Sequence, residues 1–498
     1  MHNMSSQQTL GAQTGGAPTD TIESIETQIV DLPLKKVHNH SSGTHGTQSL
    51  VMVTLRTSSG AVGYGEGGTP AGTAFWGGEC SETIKEIIDR YLAPAVRGVN
   101  VFSHELILKA MDRASARNNF AKAAVDVAVH DAVSKLYGVP VSALYGGRAR
   151  SSIPVLWALA SGDLSYDVAD AERQLEAKKH RTFKLKIGMG DPLEETARAI
   201  QTAEAVWKID AAAVFTVDLN QAWDEPTCMR LLPRLQRAGF GLIEQPLPRW
   251  NHEGMARVAA RLDIPIAADE GLWDSHDAYA SFKACSTDVY GVKIAKGGGI
   301  RRAYKAAGVA EAAGIPIYGG MALESSIGTA AGLQLFSALP ELAWGCELIG
   351  PLLLADDLTT APTVYRDYEV VVPDGIGLGV QLDHEKINFY ARKKWIALTS
   401  EFLLRTAILT GTSRRGQTHR SQESFCCPKF SEQTMRCAWR PSNLLTLASP
   451  CSFRTCSTRS PLALSSGIPM RSVQRQSVCG NRWTKPLVSL TAMRQWTL

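Results

Sequence analysis

Residues 213–220 read AVFTVDLN, residues 241–246 read GLIEQP and residues 264–270 read IPIAADE. Each is a short apolar run closing on an acid: Asp218, Glu244 and Asp269. The acids stand 26 and then 25 residues apart, about the length of one strand plus one helix in a βα repeat. That spacing puts three carboxylates at consecutive strand ends around the rim of a parallel barrel. Three hard oxygen ligands with room for water and substrate suit Mg²⁺ or Mn²⁺ better than zinc, which takes nitrogen and sulfur.

Outward from this core the pattern repeats. Runs beginning near residues 155, 183, 213, 241, 265, 289, 315 and 341 read VLWALAS, FKLKIG, VFTVDLN, GLIEQP, PIAADE, VYGVKIAK, IPIYGG and LAWGCEL. Helical text such as LEETARAIQTAEAVW and RRAYKAAGVAEAAG separates them. Eight strands at this step predict an α/β fold, a (β/α)7β TIM-like barrel over residues 151–348. Residues 21–150 begin with alternating strand text (IESIETQIVDLP, LVMVTLRT, GAVGYGEGG) and continue with helical periods. They predict an N-terminal α+β capping domain. The polar segment KKVHNHSSGTHGTQ between its first two strands reads as a mobile loop. Residues 349–394, strand-like at VYRDYEVVVPDGIGLGV, are expected to return to the capping domain and complete its sheet.

Barrel sites are built at the C-terminal ends of the strands. The polar residues there are Lys184 and Lys186, Asp218 and Asn220, Glu244, Asp269 and Glu270, Lys293, and Glu347. Period-2 alternation puts Lys184 and Lys186 on one side, and Lys184's positive charge is expected to lower the pKa of Lys186 toward the range useful for acid–base work. Each acid alone also reads as a helix cap or a loop salt bridge. Lys293 also reads as a salt bridge, with adjacent Glu270 as the expected partner. Three acids in register with a lysine on either side point instead to proton chemistry beside a cation-held carboxylate.

At this point the strings KLK, DLN, GLIEQP, AADE and KIAKGGG resemble the enolase superfamily, and within it the muconate lactonizing subgroup of muconate and chloromuconate cycloisomerases. IESIETQIVDLP, NNFAKAAVDVAVHDA, SALYGG, WALASGD and WGCELIGPLLL extend the resemblance from about Ile22 to Lys394. The resemblance implies Lys186 as acid/base lysine and Asp218, Glu244 and Asp269 as ligands of Mn²⁺ or Mg²⁺. It implies Lys293 as the lysine of the opposite face, Glu347 as a proton-relay carboxylate, and Lys184, Asn220 and Glu270 as residues supporting them. It further implies closure of cis,cis-muconate, or a chloro- or methyl-muconate, to a lactone through an enolate protonated by Lys186. A small dicarboxylate substrate and a homo-oligomer, often an octamer, come with it. Dipeptide epimerisation and o-succinylbenzoate synthesis are alternatives on the same scaffold. Substrate choice is expected in the loop carrying His38, His40 and His45, where the chain departs most from the family.

Composition bounds the rest. At 44% hydrophobic and 20% charged the chain is ordinary for a globular protein. No apolar run approaches the roughly 18 residues of a membrane span. Residues 1–20 are polar, without the apolar stretch of a signal peptide, and read as a disordered lead-in. A cytoplasmic location is the expectation. The net charge of +4 hides an asymmetry: from Trp395 onward 12 Arg and 2 Lys face 3 Glu. Six of the ten cysteines crowd into residues 395–498, without paired CxxC spacing. This segment reads as a nonfunctional extension from translation past a shifted or lost stop. The competing reading is a basic nucleic-acid-binding tail.

Overall fold

The computed structural model describes residues 19–40, 43–74 and 77–393. The tail and the first 18 residues, with the readings given for them above, lie outside the described residues. Strands β1 (Ile22–His40), β2 (Gly43–Thr57) and β3 (Val62–Gly67) form an antiparallel sheet in that order. Helices α1 (Ser81–Ile87), α2 (Ala93–Val96), α3 (His104–Ala114) and α4 (Asn119–Tyr137) follow. Helix α4 is buried throughout from Phe120 to Ser134. Its seat explains the glycines of VGYGEG. A Cβ at Gly63 would stand 2.0 Å from the Ala128 carbonyl oxygen, and one at Gly65 would stand 2.0 Å from that of Ala124. Only glycine lets this helix lie so close on the strand.

The barrel strands are β5 (Leu156–Leu159), β6 (Thr182–Lys186), β7 (Val214–Asp218), β8 (Leu242–Glu244), β9 (Ile266–Ala268), β10 (Val289–Val292) and β11 (Ile317–Gly319), parallel and paired in chain order. The predicted eighth strand closes the ring as a single paired residue. Cys346 bridges Val155 on one side and Gly319 on the other. Between the strands run α5 (Leu164–Glu176), α6 (Pro192–Trp207), α7 (Glu225–Ala238), α8 (His252–Arg261), α9 (Ser275–Ala284), α10 (Ile294–Gly297), α11 (Ile300–Ala313) and α12 (Ser326–Ala338). Asp163, Asp191, Asp224, Asn251, Asp274 and Ser325 cap α5, α6, α7, α8, α9 and α12, each side chain accepting a backbone N–H. Capping is thus supplied by residues other than Asp218, Glu244 and Asp269, which removes the helix-cap reading of those three.

Two expectations change. The polar text of residues 35–48, expected as a loop between two strands, supplies the end of β1 and the start of β2, with Leu32 opposite Gln48, a register shift after Pro33, then His38 opposite His45. Backbone pairing needs no apolar side chain, so a polar stretch between two paired strands can extend the ladder. The strand-like text after the barrel becomes β12 (Tyr365–Arg366) and β13 (Glu369–Val371), which pair with β4 (Ser152–Pro154) in a sheet of their own. The chain meets the capping sheet twice: directly after α13 (Gly350–Leu353), where Leu354 bridges Leu34 and the Ala355 N–H donates to the Pro33 carbonyl at 2.8 Å, and again after α14 (His384–Phe389), where Ala391 bridges Val30 and Arg392 binds Asp31 at 2.6 and 2.7 Å.

Cap and barrel are joined by buried polar contacts. Glu66, at the end of β3, accepts the Ser325 N–H at 2.9 Å and its hydroxyl, holding the start of α12. Asn119 donates to the Lys296 carbonyl at 2.8 Å.

Candidate active site

Strand register places the site. Lys186, Asp218 and Glu244 pair in line across β6, β7 and β8, and Asp269 follows the end of β9. All three acids are 1% exposed. Lys184 and Lys186 both face inward, as alternation requires, but at different depths. Lys184 is 1% exposed, whereas the Lys186 side chain keeps 19% of its surface at the rim.

Each carboxylate is met by an ammonium. Lys186 binds Asp218 and donates to Asn220 Oδ1 at 3.2 Å. Asn220 in turn donates to Glu270 Oε1 at 3.0 Å. Lys184 donates to Glu244 at 3.0 Å, Glu347 at 2.5 Å and the Tyr318 hydroxyl at 3.2 Å. Lys184 is therefore neutralised by carboxylates instead of acting as a free like charge on Lys186. Burial opposes its charge, but Glu244, Glu347 and Asp218 hold its pKa well above the ordinary lysine value. Lys293 donates to Asp269 Oδ2 at 2.6 Å, so the ion-pair partner is Asp269, with Glu270 turned to Asn220. Its backbone continues past β10 so that the side chain lies over Gly320, where a Cβ would stand 2.6 Å from Lys293 Cε.

Three residues that the strand-end reading passed over shape the same site. Lys296 binds Asp269 through its backbone oxygen and Oδ1, both at 2.5 Å. Gln245, one residue past Glu244 and 1% exposed, accepts the N–H groups of Asp269 at 2.9 Å and Gly271 at 3.1 Å. Tyr318 donates to Glu347 at 2.8 Å. The strings GLIEQP and KIAKGGG contain the first two, but their partners become visible only when the strands are side by side. His38, His40 and His45 sit in the β1–β2 hairpin; their side chains lie outside the described ones.

The electrostatics follow from burial and crowding. Burial, with Asp218 beside it, pushes Glu244 up to about 7 against the pull of Lys184. Burial, then Asp269 and Asp218, push Glu270 up to about 8. Asp269 goes the other way: burial opposes its charge, but Lys293 and Lys296 hold it well below the ordinary carboxylate range. Glu347 is lowered by Lys184, Lys186 and Lys293, in spite of its burial.

The donor set fits a hard divalent cation. Three buried carboxylates face one another's fields, and Glu244 Oε1 is buried with no hydrogen-bond partner, a cost a cation would remove. Among the described residues, ligating atoms of three side chains lie within 4.8 Å of one another at His104, Asp126 and His130, in the capping domain. A cavity of about 620 Å³ lined by Glu79, Arg117, Arg249 and Trp273 reaches Glu270 from the capping side.

Residues 24–146 match the mandelate racemase / muconate lactonizing enzyme N-terminal domain, and residues 167–387 match the enolase C-terminal domain-like model. The chain belongs to the mandelate racemase and muconate lactonizing enzyme family. Membership implies a divalent cation. A chloromuconate cycloisomerase of Cupriavidus necator is 43% identical over 371 residues, covering 74% of this chain and 99% of the relative. Muconate cycloisomerase 1-2 of Acinetobacter lwoffii is 42% identical over 74% of this chain and 94% of the relative. The solved structure of the Pseudomonas fluorescens muconate lactonizing enzyme with muconolactone superposes with a TM-score of 0.73 at 42% identity, over 75% of this chain and all of that one. The 2-chloromuconate cycloisomerase of Rhodococcus opacus gives 0.72 at 39% identity, with the same 75% and full coverage. Among the described residues no helix is long and apolar enough to cross a membrane.

Proposed function

We propose that this chain is a metal-dependent cycloisomerase that closes cis,cis-muconate, or a chloro- or methyl-substituted muconate, to a lactone in aromatic catabolism. The observation that carries the reading is the pair of lysines, Lys186 and Lys293, on strands flanking three buried carboxylates at consecutive strand ends. The relatives named above, cycloisomerases by name, support it.

The reaction adds one carboxylate oxygen of the substrate to its own conjugated chain, forming the ring C–O bond. The electron pair of the double bond attacked moves onto the carbon beside the second carboxylate and into that carboxylate as an enolate, and the other double bond stays in the ring. Mn²⁺ or Mg²⁺ held by Asp218, Glu244 and Asp269 would supply positive charge against that second carboxylate. Lys186, fixed by Asp218 and Asn220, gives its proton to the carbon beside that carboxylate, and the sum is an isomerisation. Lys293 presents the charge of the opposite face, oriented by Asp269. Glu347, held by Lys184 and Tyr318, passes protons between the buried groups and the rim. Where a chlorine sits next to the developing charge, chloride leaves with the electron pair in place of protonation and a dienelactone results.

We place the protein in the cytoplasm and expect a symmetric homo-oligomer, an octamer by family resemblance. The experiment is a substrate panel with Mn²⁺ and with Mg²⁺: muconate, 2-chloro-, 3-chloro- and methylmuconates, and a dipeptide. Loss of the diene absorbance with lactone formation supports the reading. Epimerised dipeptide with no muconate consumed would overturn it.

A further inference from the structure

The capping domain carries a second cluster of ligating side chains that the chemistry above does not use. Asp126 and His130 are one turn apart on α4 and so project from one face. His104, the first residue of α3, meets them. One ligand atom from each of the three lies within 4.8 Å of the others. Asp126 Oδ2 is 3.3 Å from His130 Nδ1, and the two imidazole centroids are 4.3 Å apart. Asp126 and His130 are 2% and 1% exposed. His104 Nδ1 is buried without a hydrogen-bond partner, an expense native interiors seldom leave uncompensated. A cavity of about 380 Å³ opens onto His104, His130, Tyr145 and Arg301, which gives an ion a way in.

We infer that His104, Asp126 and His130 form a binding site for a transition-metal ion of the Zn²⁺ class, separate from the barrel mouth. Two imidazoles and one carboxylate are a zinc-type donor set, whereas Mg²⁺ and Ca²⁺ call for oxygen alone. A tetrahedral ion at about 2.0–2.1 Å wants its donors roughly 3.4 Å apart; Asp126 Oδ2 and His130 Nδ1 already stand at 3.3 Å, and the wider separations, within 4.8 Å, must close by at most about 1.4 Å. Its neighbours permit this. His130 Nδ1 now binds the Asp126 carbonyl oxygen at 2.7 Å, and Nε2 binds the Tyr145 hydroxyl. When Nδ1 takes the ion its proton moves to Nε2, which then donates to the Tyr145 oxygen. That is the outer partner a ligating histidine ordinarily has. Arg301 is paired with Glu105 at 3.0 Å, which tempers its repulsion of a cation. Asp126 also accepts the Arg301 backbone N–H at 3.3 Å, at the start of α11. An ion on Asp126 would therefore pin α3 and α4 to a barrel helix.

The test is equilibrium dialysis of the full-length, untagged protein against Zn²⁺ in saturating Mg²⁺, with elemental analysis and Co²⁺ as spectroscopic probe. One Zn²⁺ per chain is expected in the unaltered protein and in Asp218→Asn. His104→Gln and His130→Gln are expected to weaken it at least tenfold, and the four-coordinate Co²⁺ absorption should fall with them. His104→Gln should keep the cycloisomerase rate measured without zinc, which shows that it is folded. Zn²⁺ should raise the unfolding midpoint of the unaltered protein and not that of His104→Gln. Equal zinc affinity in the histidine variants, or no four-coordinate Co²⁺ band in the unaltered protein, overturns the site.

Discussion

Replacing Lys184 by Met tests whether the buried lysine holds the relay carboxylate in place or merely fills space. Lys184 lies 3.0 Å from Glu244, 2.5 Å from Glu347 and 3.7 Å from Asp218. At an effective dielectric of about 20, each of the two closer pairs is worth on the order of 5 kcal/mol of Coulomb energy. Desolvation offsets most of that, so the net cost is that of breaking a buried pair, about 3–5 kcal/mol. Lys184→Met should therefore lower stability by about 3–5 kcal/mol in urea unfolding at pH 8, read as a lower midpoint at unchanged slope. The loss should shrink at lower pH. Without Lys184, Glu244, already raised by burial and Asp218, rises further above its unfolded pKa, and Glu347 loses the nearest of the lysines that lower it. A raised carboxyl contributes stability that is present below the unfolded value near 4.5 and lost as pH rises through the folded one. The deficit should thus be larger at pH 8 than at pH 5. The double variant Lys184→Met, Glu347→Gln removes both charges and should be more stable than Lys184→Met alone. A deficit under about 1 kcal/mol at pH 8, or a double variant whose loss is the plain sum of the singles, would refute the reasoning.

Three further outcomes follow from the same geometry. Lys186→Ala should reduce kcat by about 10²–10⁴-fold with a much smaller change in KM; an unchanged rate removes it as the proton donor. Gln245→Ala takes away the acceptor of the Asp269 and Gly271 N–H groups and should weaken Mn²⁺ binding about 10–100-fold, measured by electron paramagnetic resonance of free Mn²⁺. His180, buried between Trp157 and Tyr365, is lowered by burial to about 4. Its neutral form gives stability that is full above the unfolded value near 6.5 and falls as pH drops toward 4, about 2–3 kcal/mol between pH 7 and 4.5. His180→Phe should flatten that part of the urea-midpoint profile, and an equally steep acid limb in the variant would show that other groups carry it.

How far the text of the chain reaches can be seen at Lys184 and Lys186. Period-2 alternation placed both inside the barrel, and eight apolar runs placed their strands in order. Depth was not legible: the run FKLKIG does not say that one lysine is sealed and the next is at the rim. Partner choice was hidden for the same reason. Lys293 stands 23 residues after Glu270 and 24 after Asp269, and only the parallel pairing of β9 with β10 decides that it meets Asp269. Local text also misread the polar end of β1 and start of β2, because a ladder can continue on backbone hydrogen bonds alone. It misread β12 and β13 as well, since alternation marks a strand without naming its neighbour.

The charges at the barrel mouth bear on which substrate fits. Asp218, Glu244, Asp269, Glu270 and Glu347 face Lys184, Lys186, Lys293 and Lys296, so five carboxylates oppose four ammonium groups and leave a formal −1. Burial and acidic neighbours push Glu270 up to about 8 and Glu244 up to about 7, so both carry part of a proton near neutral pH, which brings the balance to about zero. A divalent cation then makes the mouth positive by about two charges. A dicarboxylate restores neutrality on entering, with one carboxylate for the cation and the other free to attack. A zwitterionic dipeptide carries no net charge and would leave that positive charge buried and uncompensated, at the cost a low-dielectric site imposes. The same count explains why the lysines outnumber what one proton transfer requires. Lys186 is needed for the proton, whereas Lys184 and Lys296 keep five crowded acids from repelling one another.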